Sequence, residues 1–240
     1  MKDRQLKLIS CNPQPNQAWL WQTEHTSAVA FGTELRVEDR LNNQTITAKA
    51  WHVQAHSTNA HQVQWLSNQA WPTDWQAGDY LQVALYQHQL RPATVTDWPN
   101  QPQIWLADRH SLAWVLAAAK ERQQAKQAGL PVAPMIALLK HDPLLPVQLK
   151  PARFLLDLTG SALGAVALLE DWGVVNRVAH PAGLPGCYEG ELADLLADLL
   201  NQLPADQQAW YVMGQLSSID QQACLKVADA FQVVTHFSPA

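Results

Sequence analysis

At 240 residues the chain can form one large domain or two small ones, and its 48% hydrophobic and 15% charged content excludes a disordered segment. Sixteen basic against twenty-one acidic residues leave a net charge of −5, the wrong sign for a protein that neutralises nucleic-acid phosphates. Cys11, Cys187 and Cys224 lie too far apart for a disulfide framework or a metal knuckle. No stretch approaches the roughly 18 apolar residues of a membrane span. The opening MKDRQLKLIS lacks the apolar core of a secretory leader, so the expectation is a cytoplasmic protein.

Seven of the eleven tryptophans precede residue 100, among many glutamines and short β-branched runs. Alternating segments predict strands at Arg4–Cys11, Ala18–Gln22, Thr33–Leu41, Thr45–Gln54, Gln62–Leu66, Tyr80–Tyr86 and Arg91–Thr96. Asn42-Asn43 and Gly78-Asp79 supply turn chemistry between them. So many short strands imply a barrel or sandwich over residues 1–100, with Trp65, Trp71 and Trp75 as bulky fillers.

After residue 100 the period changes. A short apolar run, Ile104–Ala107, precedes a helix marked by Leu112, Val115, Leu116 and Ala119 and stopped at Gly129. Val132–Leu139 reads as a buried strand, 140–151 as a proline-rich connector, and Arg153–Leu158 as the next strand. A helix from about Leu163 ends at Gly173 and leads to the strand Val174–Ala179. Loop 181–190, helix Glu191–Leu200, strand Ala209–Met213, helix Ile219–Phe231 and strand Val233–Phe237 complete the alternation. Strands alternating with helices need crossovers, so residues 101–240 are expected to be an α/β domain, a Rossmann-like parallel sheet with helices on both faces.

Three segments carry a family likeness: Leu184–Gly190 with the helix ELADLLADLL, the strand Trp210–Gly214, and Leu106–Ala113. The first two resemble the loop and helix after the third strand, and the fourth strand, of the nicotinamide domains of the ferredoxin reductase-like superfamily, and the third looks like the Gly-Asp-Glu-Thr-Ala-Leu-Pro stretch of its siderophore-interacting reductases. That group includes siderophore-interacting reductases and the electron-transfer subunit of dihydroorotate dehydrogenase. The resemblance implies an oxidoreductase moving electrons between NAD(P)H, a flavin such as FAD, and an acceptor protein. The sequence departs from the family at its cofactor motifs. The turn Asp108-Arg109-His110-Ser111 has no glycine where members carry a Gly-Gly-x-Gly turn, Met213-Gly214-Gln215 stands for Cys-Gly-Pro, and Arg91-Pro92-Ala93-Thr94 lacks the flavin-stacking tyrosine.

The candidate cofactor residues are therefore Arg91 and Thr94 for a flavin, and Asp108, Arg109, Ser111, Thr159, Gly160, Ser161 and Gly214 for a nucleotide. Thr159-Gly160-Ser161 offers a second glycine turn at a strand-to-helix junction, with Ser161 as an ordinary N-cap on the competing reading. Arg109 is a possible phosphate fork, whereas Asp108 repels phosphate. Arg91–Thr94 also reads as a strand broken by Pro92. His52, His56 and His61, with His25 and His88, lack a recurring ligand spacing, so solvated histidines are expected and no metal. Cys187, seven residues after His180, reads as an ordinary thiol, and Glu170-Asp171, Glu189 and Glu191 as solvated or helix-end charges. The competing function is a non-catalytic binding or assembly module that keeps the scaffold without a cofactor. The tryptophan-rich half would then supply a surface for a protein partner.

Overall fold

The computed structural model describes residues 4–25, 29, 33–38, 47–56, 59–87, 101–156, 158, 162–203 and 210–238. The expected turn at Asn42-Asn43, the strand Arg91–Thr96 with Arg91 and Thr94, the residues Thr159, Gly160 and Ser161, and His88 lie outside them. The chain divides into two compact units, Met1–Gln89 and Leu90–Ala240.

In the first unit, β1 (Arg4–Gln14), β2 (Ala18–His25), β3 (Thr33–Glu38), β4 (Thr47–His56), β5 (Asn59–Ser67) and β6 (Tyr80–Gln87) form a closed barrel. Its order is β1-β2-β5-β4-β3-β6, and every neighbouring pair, including the closing pair β1 and β6, is antiparallel. The pleat sends alternate side chains inward. Leu6 and Leu8, Trp21 and Thr23, Leu35 and Val37, Val63 and Trp65, and Leu81 and Val83 are all buried. Trp75, from the 68–79 connection, closes the core edge-on to Trp21 at 6.4 Å. Trp65 and Trp75 thus fill the barrel as expected and Trp71 is half-buried; Trp21, whose indole donates to the Gln69 carbonyl at 2.9 Å, is a further filler. The turn at Gly78-Asp79 is present, with Gly78 at φ +104°, a conformation that favours glycine. Register shifts between His52 and Gln54 and between Ala55 and His56 break the simple alternation that would put positions 52 and 56 on one face.

The second unit begins with β7 (Gln103–Ala107), all five residues buried, and α1 (Leu112–Gln127). The predicted stripe of α1 is buried, but so is every residue from Leu112 to Ala119; only the second half of the helix meets solvent. Gly129, at φ +76°, ends it as expected. Then follow β8 (Met135–Lys140), β9 (Leu149–Pro151), β10 (Gly164–Val166), α2 (Ala167–Asp171), β11 (Val175–His180), β12 (Tyr188–Glu189), α3 (Leu192–Gln202), β13 (Tyr211–Gln215), α4 (Ser218–Ala230) and β14 (Val234–Phe237). Six of these strands form one sheet in the order β12-β11-β8-β7-β13-β14, with every pair parallel. Ile104, Leu106, Ile136 and Leu138 pack against Leu192, Leu195, Leu196 and Leu199 of α3, while α1 packs along β7 and β8. The α/β expectation, a parallel sheet carrying helices, is met.

Among the described residues one predicted strand does not form. Of Arg153–Leu158, positions 153–156 and 158 are in no strand, and β9 pairs antiparallel with β10 beside the main sheet. The reason lies in the polar partners of this backbone. The buried carboxylate of Glu170 accepts the Arg153 amide at 3.0 Å and the Phe154 amide at 3.3 Å, and the buried Arg177 guanidinium donates to the Phe154 carbonyl at 2.6 Å. Groups that a ladder would have satisfied are already bonded to side chains. Glu170 is accordingly buried rather than solvated, and the following helix begins at Ala167 instead of near Leu163.

Candidate functional site at the carboxyl edge of the parallel sheet

The chain leaves β7 toward β8 on one side and returns through β13 to the other, so strand order reverses between β7 and β13. In parallel α/β sheets such a reversal leaves a crevice beyond the strand tips, where ligands bind. Its walls are the turn Asp108–Ser111 after β7 and the segment Gly214–Ser217 at the end of β13. Of the described candidate residues, the structure brings Asp108, Arg109, Ser111 and Gly214 to this edge.

The turn is closed by its own side chains. Asp108 Oδ1 accepts the amides of His110 at 2.8 Å and Ser111 at 3.0 Å, and the Ser111 hydroxyl at 3.0 Å. The Asp108 amide donates to Ser111 Oγ at 2.9 Å, and the Asp108 carbonyl accepts the Leu112 amide at 3.0 Å. Both Asp108 and Ser111 are buried. A carboxylate therefore sits where the partial positive charge of α1 and its leading amides would otherwise receive an outside anion. The residues present do not fit a diphosphate held on those amides. Arg109 extends to the Leu144 carbonyl at 2.8 Å and ties the turn to the loop after β8.

Gly214 is shaped by packing. A Cβ built on it would run into the Leu106 carbonyl oxygen on β7, so the two strands flanking the reversal approach closely only because this residue has no side chain. Beyond β13, Ser217 caps α4, its hydroxyl accepting the Asp220 amide at 3.2 Å. Lys140, the last residue of β8, reaches Asp220 at 2.8 Å and Glu191, the N-cap of α3, at 3.2 Å. Burial works against its charge, but the two carboxylates outweigh that and hold its pKa above the ordinary lysine value. Neither Lys140 nor Asp220 stands out from the sequence as a site residue; the Ser217-x-x-Asp220 spacing is the signal that marks the helix start.

His141 and His180 follow one another across the tips of β8 and β11, with ring centroids 6.2 Å apart. The buried His141 accepts the Leu145 amide on Nδ1 at 3.0 Å, which requires the neutral ring. Burial, with His180 beside it, pushes the His141 pKa below 6.5. The unfolded chain therefore takes up this proton first as pH falls through about 6.5, and the native state loses stability; above that value both states are neutral and the contribution vanishes. The melting temperature is expected to drop between about pH 7 and pH 5, and His141→Gln to reduce that drop, measured by thermal unfolding across the range. An unchanged slope in the variant would show that His141 does not contribute.

Burial raises the pKa of Cys187 and pushes that of Cys224 up to about 12, so neither is held as a nucleophilic thiolate. Among the described residues no group of three or more His, Cys, Asp or Glu side chains is placed to hold a metal ion. No described helix is long and apolar enough to cross a membrane. A cavity of about 180 Å³ lies at the opposite, amino ends of β7 and β8, lined by Gln103, Ala118, Arg122, Leu130 and Met135.

No protein-family model matches the sequence, and no curated protein matches it significantly. Solved structures do. Ferredoxin-NADP+ reductase from Plasmodium falciparum, with 2'P-AMP, superposes with a TM-score of 0.64 at 8% identity, over 99% of this chain and 96% of that one. A cytochrome P450 reductase of Amycolatopsis gives 0.66 at 11% identity, covering 100% of this chain and 70% of that one. The chain has the ferredoxin reductase-like fold. An intact type IV self-sufficient cytochrome P450 monooxygenase also matches, with a TM-score of 0.59 at 14% identity over 99% of this chain. This chain spans only 28% of that larger one.

Proposed function

We propose that this reductase-like chain is a flavin-linked electron-transfer oxidoreductase that passes electrons to an acceptor protein. The observation that carries this reading is the pairing, in one chain, of a closed antiparallel barrel with a parallel sheet whose strand order reverses at β7 and β13. That fold matches a ferredoxin-NADP+ reductase over 96% of that chain. Residues 1–100, which include the barrel, would be the flavin-domain-like part, in which Arg91 would meet a flavin phosphate and Thr94 its ring; residues 101–240 would be the α/β part. There a ligand enters between Asp108–Ser111 and Gly214–Ser217, with Arg109 at the rim and Thr159, Gly160 and Ser161 completing the candidate set. A bound flavin would supply the one- and two-electron chemistry, and the protein its orientation and electrostatics. The three unpaired cysteines accord with a reducing, cytoplasmic setting.

The absorption spectrum of freshly purified protein tests this directly. Flavin bands, or a rise in melting temperature on adding FAD or FMN, are the expected result. A colourless protein whose melting temperature no flavin changes would overturn it and leave a binding or assembly module on the same scaffold.

A further inference from the structure

We infer that Asp108 is a resident anion that keeps phosphate off the amino terminus of α1, so that the crevice admits a ligand that presents no phosphate at this point. The amides around the start of α1 already have acceptors within the chain. Those of His110 and Ser111 are bonded to Asp108 Oδ1, that of Leu112 to the Asp108 carbonyl, and that of Trp114 to the Ser111 carbonyl. Little of the helix's leading donor capacity is left for an external oxyanion. An arriving phosphate would also have to displace a buried carboxylate that holds three hydrogen bonds, or stand beside it with like charge.

The rest of this edge points the same way. Glu191 and Asp194 cap α3 reciprocally, and Asp220 lies in the first turn of α4. Lys140 is already shared between Glu191 and Asp220. The helix termini that could attract an anion here are answered from within the chain. A dinucleotide that reaches the crevice is therefore positioned by its nucleoside or ring, with its diphosphate away from α1. The inference rests on the reading above only for the identity of that ligand; the exclusion of phosphate stands on the turn itself.

Calorimetric titration with inorganic pyrophosphate, and separately with NADP+ and NAD+, tests it on the native chain, Asp108→Gly and Asp108→Asn. Removing the carboxylate frees two amides, so Asp108→Gly is expected to bind pyrophosphate about tenfold tighter than the native chain or better. Asp108→Asn keeps an acceptor oxygen but loses the charge, so a smaller gain is expected. If Asp108→Gly does not fold, by circular dichroism, the asparagine variant decides alone. Native binding of pyrophosphate as tight as that of the folded variants, or weaker binding after either substitution, would overturn the inference. Flavin bands are read independently of these titrations, so failure here is distinguishable from failure of the electron-transfer reading.

Discussion

Trp65→Ala is expected to destabilise the barrel by about 3–5 kcal/mol, the range for deleting a large aromatic from a packed core. The indole is fully buried at the centre of the barrel cluster, among Leu6, Trp21, Val37 and Val83. No neighbouring strand can close over the void, because each is already hydrogen-bonded on both sides around the ring. The loss is also polar. Trp65 Nε1 donates to Thr23 Oγ1 at 2.7 Å, and that hydroxyl lies 2.9 Å from His25 Nε2, so alanine strips a partner from a buried network. Trp65→Phe keeps most of the bulk and is expected to cost closer to about 1 kcal/mol. Urea unfolding followed by circular dichroism separates the two; an alanine variant within about 1 kcal/mol of the native protein would show that the barrel relaxes around the gap.

Gly214→Ala is expected to cost about 3 kcal/mol, at the upper end of the range for overpacking. The added methyl meets a backbone carbonyl, that of Leu106, and not the yielding end of a side chain. Relief requires β7 and β13 to separate, yet both are central strands with a paired neighbour on each side. The same separation would displace Asp108–Ser111 relative to Gln215–Ser217, so ligand affinity at the crevice is expected to fall along with stability. Thermal unfolding tests the first effect; a melting temperature within about 2 °C of the native value would show that the strands accommodate the methyl.

The alternation of apolar runs and helical stripes after residue 100 made the parallel sheet legible, because each βα unit is written locally. Gln103–Ala107, Tyr211–Gln215 and Val234–Phe237 lie where the sequence places strands, within a few residues. The exception, Arg153–Leu158, is apolar enough to read as a strand. What prevents it is a carboxylate on a later helix, Glu170, and a guanidinium on β11, Arg177, neither of which local pattern can connect to it. Lys140 was invisible for the same reason, since its partners Glu191 and Asp220 belong to helices much later in the chain. Asp108 was legible as an obstacle to phosphate, but not as a group that bonds the very amides phosphate would use. That step needs the turn's three-dimensional closure with Ser111. The register shifts in β4 likewise are set by its pairing with β5, not by its own residues.

The way the barrel and the six-stranded sheet end bears on how the protein behaves when crowded. Among the described residues the six-stranded ring closes through the pairing of β1 with β6, and the parallel sheet is bounded by β12 and β14, only two and four residues long. At the parallel sheet a neighbouring copy thus finds only two short edges to template upon, which disfavours strand-by-strand polymerisation through it.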